Sequence, residues 1–148
     1  MSGPNFMDIA FAEAELAARA GEVPVGAVVV RGSEIVARAH NRPLAERDPT
    51  AHAELLALRA AAGAIGDERL SGCDLYVTLE PCTMCAAAIS LARIRRLYYT
   101  AADPKSGAVE SGVRFFTSPA CHHRPEVYGG IQAARAAELL RGFFKERR

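Results

Sequence analysis

The sequence predicts an α/β protein, a three-layer α-β-α sandwich with a central mixed sheet of about five strands. Two observations support this fold class. Short apolar runs rich in β-branched residues, such as 25–30 and 94–100, have the length and composition of buried strands. These runs alternate along the chain with longer alanine-rich segments of helical character, which is the pattern of a sheet covered by helices on both faces.

Four strands and four helices can be placed along the chain. The strands are marked by apolar, β-branched composition and cover 25–30, 35–39, 75–79 and 94–100. The helices are marked by alanine-rich segments with helical spacing and cover 6–20, 48–63, 82–91 and 132–146. Residues 31–34 form a tight turn, so the first two strands are predicted to be a hairpin.

Local residue types indicate where these helices begin and end. Gly21 can end the first helix. The pairs Asp48–Pro49 and Glu80–Pro81 place an acidic residue before a proline, as at a helix N-terminus, and so predict the starts of the second and third helices. The remaining segments are predicted loops, namely 41–48, 63–74 and 103–125, the last with one helical turn.

Length and composition are those of an ordinary globular domain. The 148 residues predict one domain over 1–148, and half of them are apolar. No apolar run approaches the ~20 residues that a membrane span needs. Residues 1–6 lack the basic and apolar regions of a signal peptide. We therefore expect a cytoplasmic protein with no membrane partner.

Charge is distributed unevenly along the chain. Residues 1–92 carry seven Arg and twelve acidic residues, a net charge of −5, whereas 93–148 carry nine Arg, two Lys and five acidic residues, a net charge of +6. This asymmetry indicates an anionic partner such as a nucleic acid. If the two halves intermix in space, however, no charged patch forms.

Two short segments thirty residues apart carry the chemistry, His52-Ala53-Glu54 and Pro81-Cys82-Thr83-Met84-Cys85. His52, Cys82 and Cys85 can hold one Zn²⁺ and leave its fourth position open for water, as catalytic zinc sites do. Ligand softness favours zinc over iron. Positions i and i+3 place both sulfurs on one helical face. The combined pattern H-x-E…P-C-x-x-C is the signature of zinc nucleobase deaminases.

Glu54 is the candidate proton carrier for the water at that site. Its spacing from His52 does not guarantee this role. Residues i and i+2 on a helix point apart by about 200°. The longer glutamate side chain must therefore curl toward the metal.

The remaining cysteines and the histidine pair have no ligand-like spacing. In a chain without an export signal, C-x-x-C indicates metal or redox chemistry rather than a structural disulfide. Cys73 and Cys121 are expected to be ordinary thiols. His122 and His123 are an alternative source of a fourth zinc ligand, but we expect them to contact solvent, substrate or another subunit.

At these residues the chain resembles the bacterial tRNA-specific adenosine deaminases, within the cytidine deaminase-like superfamily. The resemblance runs from about Phe6 to Arg148. Its segments are EVPVGAV (22–28), NRP (41–43), DPTAHAE (48–54), LYVTLEPCTMCA (75–86), DPKSGA (103–108) and FFKERR (143–148). The zinc segments are shared by the whole superfamily, whereas the 103–108 loop and the basic, aromatic C-terminus are more particular to the tRNA branch.

The resemblance implies a homodimer that converts adenosine to inosine at the wobble position of a tRNA anticodon, with one Zn²⁺ per subunit. It implies zinc ligation by His52, Cys82 and Cys85 and proton transfer by Glu54. The residues it places in contact with the anticodon stem-loop are Asn41, the backbone N–H of Ala53, Asp103, Lys105 and Phe144.

The C-terminal end has residue types that suit RNA. Its cations can contact phosphates, and they are Arg141, Lys145, Arg147 and Arg148. Phe143 or Phe144 offers a stacking face for a base. The alternative is an amphipathic helix whose Phe pair is core. Pro104 and the 121–123 segment depart from the family pattern, which bears on the preference for flanking nucleotides.

Two other functions stay open at the level of sequence. One is deamination of a free nucleobase or nucleoside of guanine or cytosine type, which the zinc segments do not exclude. The other is a non-catalytic, zinc-stabilised RNA-binding subunit. Glu54 argues against the second function, because a purely structural zinc site has no use for a carboxylate there.

Overall fold

The fold, given by a computed structural model that describes residues 5–147, confirms the predicted three-layer sandwich. Within this part of the chain the strands are β1 (Gly26–Arg31), β2 (Glu34–His40), β3 (Cys73–Leu79), β4 (Arg96–Ala101) and β5 (Glu126–Tyr128). The helices are α1 (Phe6–Arg19), α2 (Pro43–Glu46), α3 (Ala53–Ile65), α4 (Thr83–Leu91) and α5 (Ala133–Glu146), with a 3₁₀ turn at Phe115–Thr117. Residues 1–4 and Arg148, which the predicted domain includes, lie outside the described residues.

The sheet is mixed and has the strand order β2-β1-β3-β4-β5. β1 pairs antiparallel with both β2 and β3, whereas β4 runs parallel to β3 and to β5. Leu79 and Ala101, at the ends of β3 and β4, are partners in the register. The segments that follow these two strands therefore leave the same edge of the sheet side by side.

Apolar side chains fill both faces of the sheet. On one face α3 and α4 pack against it, with Ala57 and Ile89 in the same cluster as Leu75. On the other face α1 and α5 cover it, and Phe11 packs with Val28. Among the described residues, no helix is long and apolar enough to cross a membrane.

Two predicted helix starts are wrong at the level of individual residues. Helix α3 begins at Ala53 rather than Pro49, because Asp48 does not cap it. The Asp48 carboxylate instead accepts hydrogen bonds from the N–H (2.8 Å) and the hydroxyl (2.7 Å) of Thr50, which closes a local turn. Likewise the Glu80 side chain does not cap α4, whose N-cap is Cys82.

Two elements form where the sequence predicts none. The predicted loop 41–48 contains the single helical turn α2, whose first backbone N–H groups are bound by a buried side chain distant in sequence. The fifth strand, β5, has three residues, all exposed, and so carries no apolar run. It forms because its backbone pairs with β4, a long-range event that local composition does not show.

Gly26 brings α1 directly onto the backbone of β1. A Cβ atom at this position would overlap the carbonyl oxygen of Ala10 and lie 2.6 Å from the backbone nitrogen of Ala14. The helix and the strand therefore touch without an intervening side chain. Only glycine permits this approach, since both neighbours are backbone atoms of a packed helix.

We expect Gly26→Ala to destabilise the protein by about 1–3 kcal/mol or more, because the added methyl group must push α1 off the sheet. The matched control is Gly63→Ala in α3, where a Cβ meets nothing within 4 Å. That change should stabilise the helix by about 0.5–1 kcal/mol. Urea unfolding of the two variants measures both effects. Equal stability of Gly26→Ala and the wild type would contradict the close approach of α1.

Candidate active site

The site is built where α3 and α4 begin, at the sheet edge where β3 ends. His52 is the N-cap residue of α3 and Cys82 is the N-cap residue of α4, and both have extended backbone conformations. An N-cap side chain ordinarily binds a free backbone N–H of its helix. Neither of these side chains does so, and both are directed at each other instead. Cys85 lies in the first turn of α4.

The three predicted ligands meet at distances that fit a tetrahedral zinc ion. The Nδ1 atom of His52 lies 3.6 Å from the Sγ atom of Cys82 and 3.6 Å from that of Cys85. Zinc bonds to nitrogen and sulfur at a tetrahedral angle would separate the two ligand atoms by about 3.6 Å. Within residues 5–147 this is the one group of three His, Cys, Asp or Glu side chains so arranged.

The two thiols differ in acidity. A hydrogen bond from the Cys85 thiol, followed by one from the His52 ring, lowers the pKa of Cys82 to about 4 against the effect of burial. The same contact, together with burial, raises the pKa of Cys85. Cys82 is therefore the thiolate of the pair, and a divalent cation would draw the proton from Cys85 as well.

Glu54 lies in the first turn of α3 and is only 5% exposed. Burial raises the pKa of its carboxyl to about 7; its own backbone N–H opposes this shift, and the charge of Cys82 adds to it. The spacing problem that the sequence posed does not arise. Because His52 is an extended N-cap residue and not a helical one, both side chains line the same cavity.

This cavity has a volume of about 420 Å³, within the range of small-molecule sites. Its wall combines the metal-ligand and proton-carrier candidates with apolar and polar residues from four other segments. The wall residues besides His52, Glu54 and Cys82 are Gly21, Glu22, Val23, Val25, Asn41, Pro43, Leu44, Leu79, Glu80, Asp103 and Ser106.

Asn41 and Ala53 are joined by a hydrogen bond. The buried side chain of Asn41 accepts the backbone N–H of Ala53 through its Oδ1 atom, at 2.8 Å. The Oδ1 atom of Asn41 is therefore occupied, and the side-chain nitrogen is the group that Asn41 offers to a ligand as a donor. The N–H of Ala53 is engaged in this structure, so its predicted contact with the target base would require Asn41 to release it.

Glu22 is a site residue to which the sequence analysis gives no role. Its buried carboxylate accepts the backbone N–H groups of Leu44 (3.1 Å) and Ala45 (2.8 Å). It thereby fixes α2, which carries Pro43 and Leu44 on the cavity wall. An acidic residue shortly before the apolar run of β1 is the only local signal, and it does not reveal partners 22 and 23 residues away.

Asp103, Lys105 and Phe144 meet in a groove that continues from the cavity. The groove has a volume of about 500 Å³, and it shares Val23, Leu79, Asp103 and Ser106 with the cavity wall. The residues found only in the groove are Ala101, Ala102, Pro104, Lys105, Ala137, Leu140, Arg141 and Phe144. The structure therefore brings three of the predicted substrate contacts together beside the metal-ligand triad.

The C-terminal helix separates the two phenylalanines. Phe143 is 7% exposed and belongs to the interior, whereas Phe144 is 49% exposed and lies in the groove. Arg147 stacks over Phe143 at 4.1 Å from the ring centroid and donates to the carbonyl of Ala18, so its predicted phosphate contact is not supported. Arg148 lies outside the described residues.

The remaining candidates lie away from the site. His123 donates from Nε2 to the carbonyl oxygen of Ile94, just before β4, at the opposite end of the sheet from the zinc ligands. Cys73 is buried at the start of β3, and Cys121 contacts the hydroxyl of Ser90. None of these side chains reaches the triad of His52 with the two zinc-site cysteines.

Comparison with known proteins decides the family. The chain matches the family described as the cytidine and deoxycytidylate deaminase zinc-binding region over residues 2–101. It is 60% identical to the tRNA-specific adenosine deaminase of Agrobacterium fabrum over 144 residues, which are 97% of this chain and 95% of that protein. The chain belongs to the tRNA-specific adenosine deaminases. The resemblance seen in the sequence, the fold class and the zinc-binding character are thus confirmed.

Solved structures similar to this chain are of more than one kind. One structure comes from a study of A-to-I editing by deaminases at the wobble position of transfer RNA. It is 60% identical with a TM-score of 0.90, covering 91% of this chain and 98% of its own. A guanine deaminase from Bacillus subtilis is 35% identical with a TM-score of 0.67, covering 86% of this chain and 85% of its own.

We expect Cys85→Ser to reduce bound zinc from about one ion per chain to near none, because a hydroxyl does not replace a thiolate as a zinc ligand. Cys121→Ser is the matched control and should keep its zinc, since Cys121 is outside the triad. Metal analysis after gel filtration measures both. The melting temperature should fall only in Cys85→Ser, where the stabilisation by bound metal is lost. Full zinc content in that variant would contradict the assigned ligand set.

Proposed function

We propose that this chain hydrolytically deaminates adenosine to inosine at the wobble position of a tRNA anticodon. One observation carries the proposal: a cavity walled by the metal-ligand triad and Glu54 continues into a groove with Asp103, Lys105 and an exposed Phe144. The cavity suits a single base, and the groove suits the polymer that bears it. Membership of the tRNA-specific adenosine deaminases supports the same substrate.

Zinc bound by His52, Cys82 and Cys85 would supply an activated water for attack on C6 of adenine. Glu54 is the protein group that moves protons. With a pKa of about 7, its carboxyl can both accept and return a proton near neutral pH. It accepts a proton from the attacking water and delivers it to the ring nitrogen; it then accepts the proton of the added hydroxyl group and delivers it to the departing amine. One water is consumed and one ammonia is released.

Asn41 orients the target nucleotide through its side-chain nitrogen. Its oxygen is held by the N–H of Ala53, which fixes the direction of the amide group. The side chain lines the cavity and is therefore within reach of a base seated there. This bond makes Ala53 a positioning group for Asn41 in the structure as described.

The groove provides for RNA outside the target base. A base must leave its stack to enter the cavity, which costs less in an RNA loop than in a duplex. The exposed ring of Phe144 offers a stacking surface, and Lys105 with Arg141 offers positive charge beside it. Asp103, on the wall shared by cavity and groove, is placed to contact the ribose or backbone next to the flipped base.

The proposal extends to assembly and location. Residues 1–148 act as one zinc-dependent deaminase domain, with one Zn²⁺ per subunit, in a cytoplasmic homodimer. The family resemblance of the sequence supports the homodimer.

Deamination of a free base is the second candidate function. The structural likeness to a guanine deaminase from Bacillus subtilis favours it. The two functions differ in what they require of the groove, because a free base needs the cavity alone. Variants in the groove therefore separate them.

We expect Glu54→Gln to lower deamination by about 10²–10⁴-fold or more, because the amide keeps the shape but not the ability to carry a proton. Zinc content should stay unchanged. Glu15→Gln, on the exposed face of α1, is the matched control and should retain wild-type turnover. Inosine formation in an anticodon stem-loop measures the activity. Substantial turnover by a zinc-loaded Glu54→Gln protein would show that the Glu54 carboxylate is not the proton carrier.

We expect Phe144→Ala to raise the KM for the stem-loop by about 5- to 100-fold, the range for loss of one base-stacking contact. The melting temperature should change little because the ring is half exposed. Leu16→Ala, which removes an exposed apolar side chain from α1, should leave KM unchanged. An unaltered KM in Phe144→Ala would remove the groove from the substrate path and favour a free-base substrate.

A further inference from the structure

The carboxylate of Glu80 holds the loop that carries Asp103. It is 3% exposed and follows the last residue of β3. Its Oε1 atom accepts the backbone N–H of Asp103 at 2.8 Å and the hydroxyl of Ser111 at 2.9 Å. Its Oε2 atom accepts the backbone N–H groups of Val109, Glu110 and Ser111, each at 2.9 Å. Five hydrogen bonds thus converge on one side chain.

This carboxylate is bound by four backbone N–H groups and one hydroxyl, and not by a cation. Among the described residues no Lys, Arg or His forms an ion pair with Glu80. Successive backbone N–H groups that face one point form an anion-binding concavity. Here a side chain of the same chain fills this concavity. The loop conformation between Asp103 and Ser111 therefore depends on this one anion.

The same loop is docked on the zinc-ligand segment. Gly107 forms an isolated bridge with Cys82, and the N–H of Ala108 donates to the carbonyl of Pro81 at 2.9 Å. A Cβ atom on Gly107 would overlap the Glu80 carboxylate and lie 2.6 Å from the carbonyl oxygen of Asp103. Loop, carboxylate and zinc-ligand segment are packed without a gap.

We propose that Glu80 is a positioning residue that sets Asp103 relative to the metal site and thereby determines affinity for the RNA substrate. Glu80 is two residues from Cys82 along the chain, and it accepts a hydrogen bond from the N–H of Asp103, which is 23 residues away in sequence. Asp103 lies on the wall that cavity and groove share. The inference rests on the proposed function, because only an RNA substrate would use the groove in addition to the cavity.

The chemistry of glutamine makes Glu80→Gln a selective probe. If the amide nitrogen replaces Oε2, it faces three backbone donors. In the better orientation the amide oxygen accepts those three N–H groups, and the amide nitrogen can donate to the hydroxyl of Ser111. The amide nitrogen then faces the N–H of Asp103, and because both groups are donors, that hydrogen bond is lost. The variant therefore keeps most of the loop and releases Asp103.

The test combines hydrogen exchange with steady-state kinetics on zinc-loaded, full-length protein. In Glu80→Gln the amide of Asp103 should exchange faster, while the amides of β3 keep wild-type protection. The KM for an anticodon stem-loop should rise about tenfold or more, the scale of a lost hydrogen bond to a charged group. The kcat should change much less, since His52, Glu54 and the thiolates are unmoved. Zinc content should be unchanged.

Four further proteins complete the experiment. Glu34→Gln, an exposed glutamate on β2, is the matched control and should behave as the wild type. Ser111→Ala removes one of the five bonds and should raise KM by about two- to tenfold. It carries the test if Glu80→Gln fails to fold. Gly107→Ala is measured alone and combined with Glu80→Gln. The rise in KM of the double variant should be smaller than the product of the two single rises, because both changes disturb the same contact.

Two results would overturn the proposal. One is a wild-type KM in Glu80→Gln and Ser111→Ala. The other is a loss of zinc and kcat with KM unchanged, which would make Glu80 a support of the metal segment alone. The proposed function is tested separately by whether the wild-type protein deaminates the stem-loop. The role of Glu80 is tested by the ratio of the variant KM to the wild-type KM.

Discussion

The parallel pairing of β3 with β4 is the constraint on which the site depends. Their ends, Leu79 and Ala101, are register partners, so the chain leaves both strands at one edge. The segment after β3 delivers the two cysteine ligands, and the segment after β4 delivers Asp103. Helix α3 packs against the same sheet and begins at that edge, with His52 as its N-cap residue. A shift of this pairing by one residue would separate metal site and substrate loop.

Two buried carboxylates at this edge, Glu54 and Glu80, have pKa values shifted in opposite directions by their surroundings. Burial raises the pKa of Glu54 to about 7, which suits a group that must both take and give a proton. For Glu80 burial alone would raise the pKa, but hydrogen bonds from the backbone of Asp103, Ser111 and Val109 outweigh it, and the pKa lies below its ordinary value. One acid is poised to exchange protons, and the other stays charged and holds a loop.

The sequence predicted the zinc ligands and the fold class because both depend on short-range patterns. The i, i+3 spacing of Cys82 and Cys85 and the apolar strands are local, and the structure has them as expected. Two features that it did not predict, β5 and the contacts of Glu80, depend on distant partners. β5 exists through pairing with β4, and Glu80 binds groups 23 to 31 residues further along the chain. Asp48 looked like a helix cap, but a competing turn with Thr50 uses its oxygen.

The most direct test of the account is ammonia release by the zinc-loaded protein from four substrates in parallel. They are an anticodon stem-loop with adenosine at the wobble position, free adenosine, guanine and cytidine. We expect turnover of the stem-loop and little turnover of the three small molecules, because cavity and groove act together on a polymer. Turnover of guanine or cytidine with an unreacted stem-loop would contradict it and would reduce the groove to solvent-exposed surface.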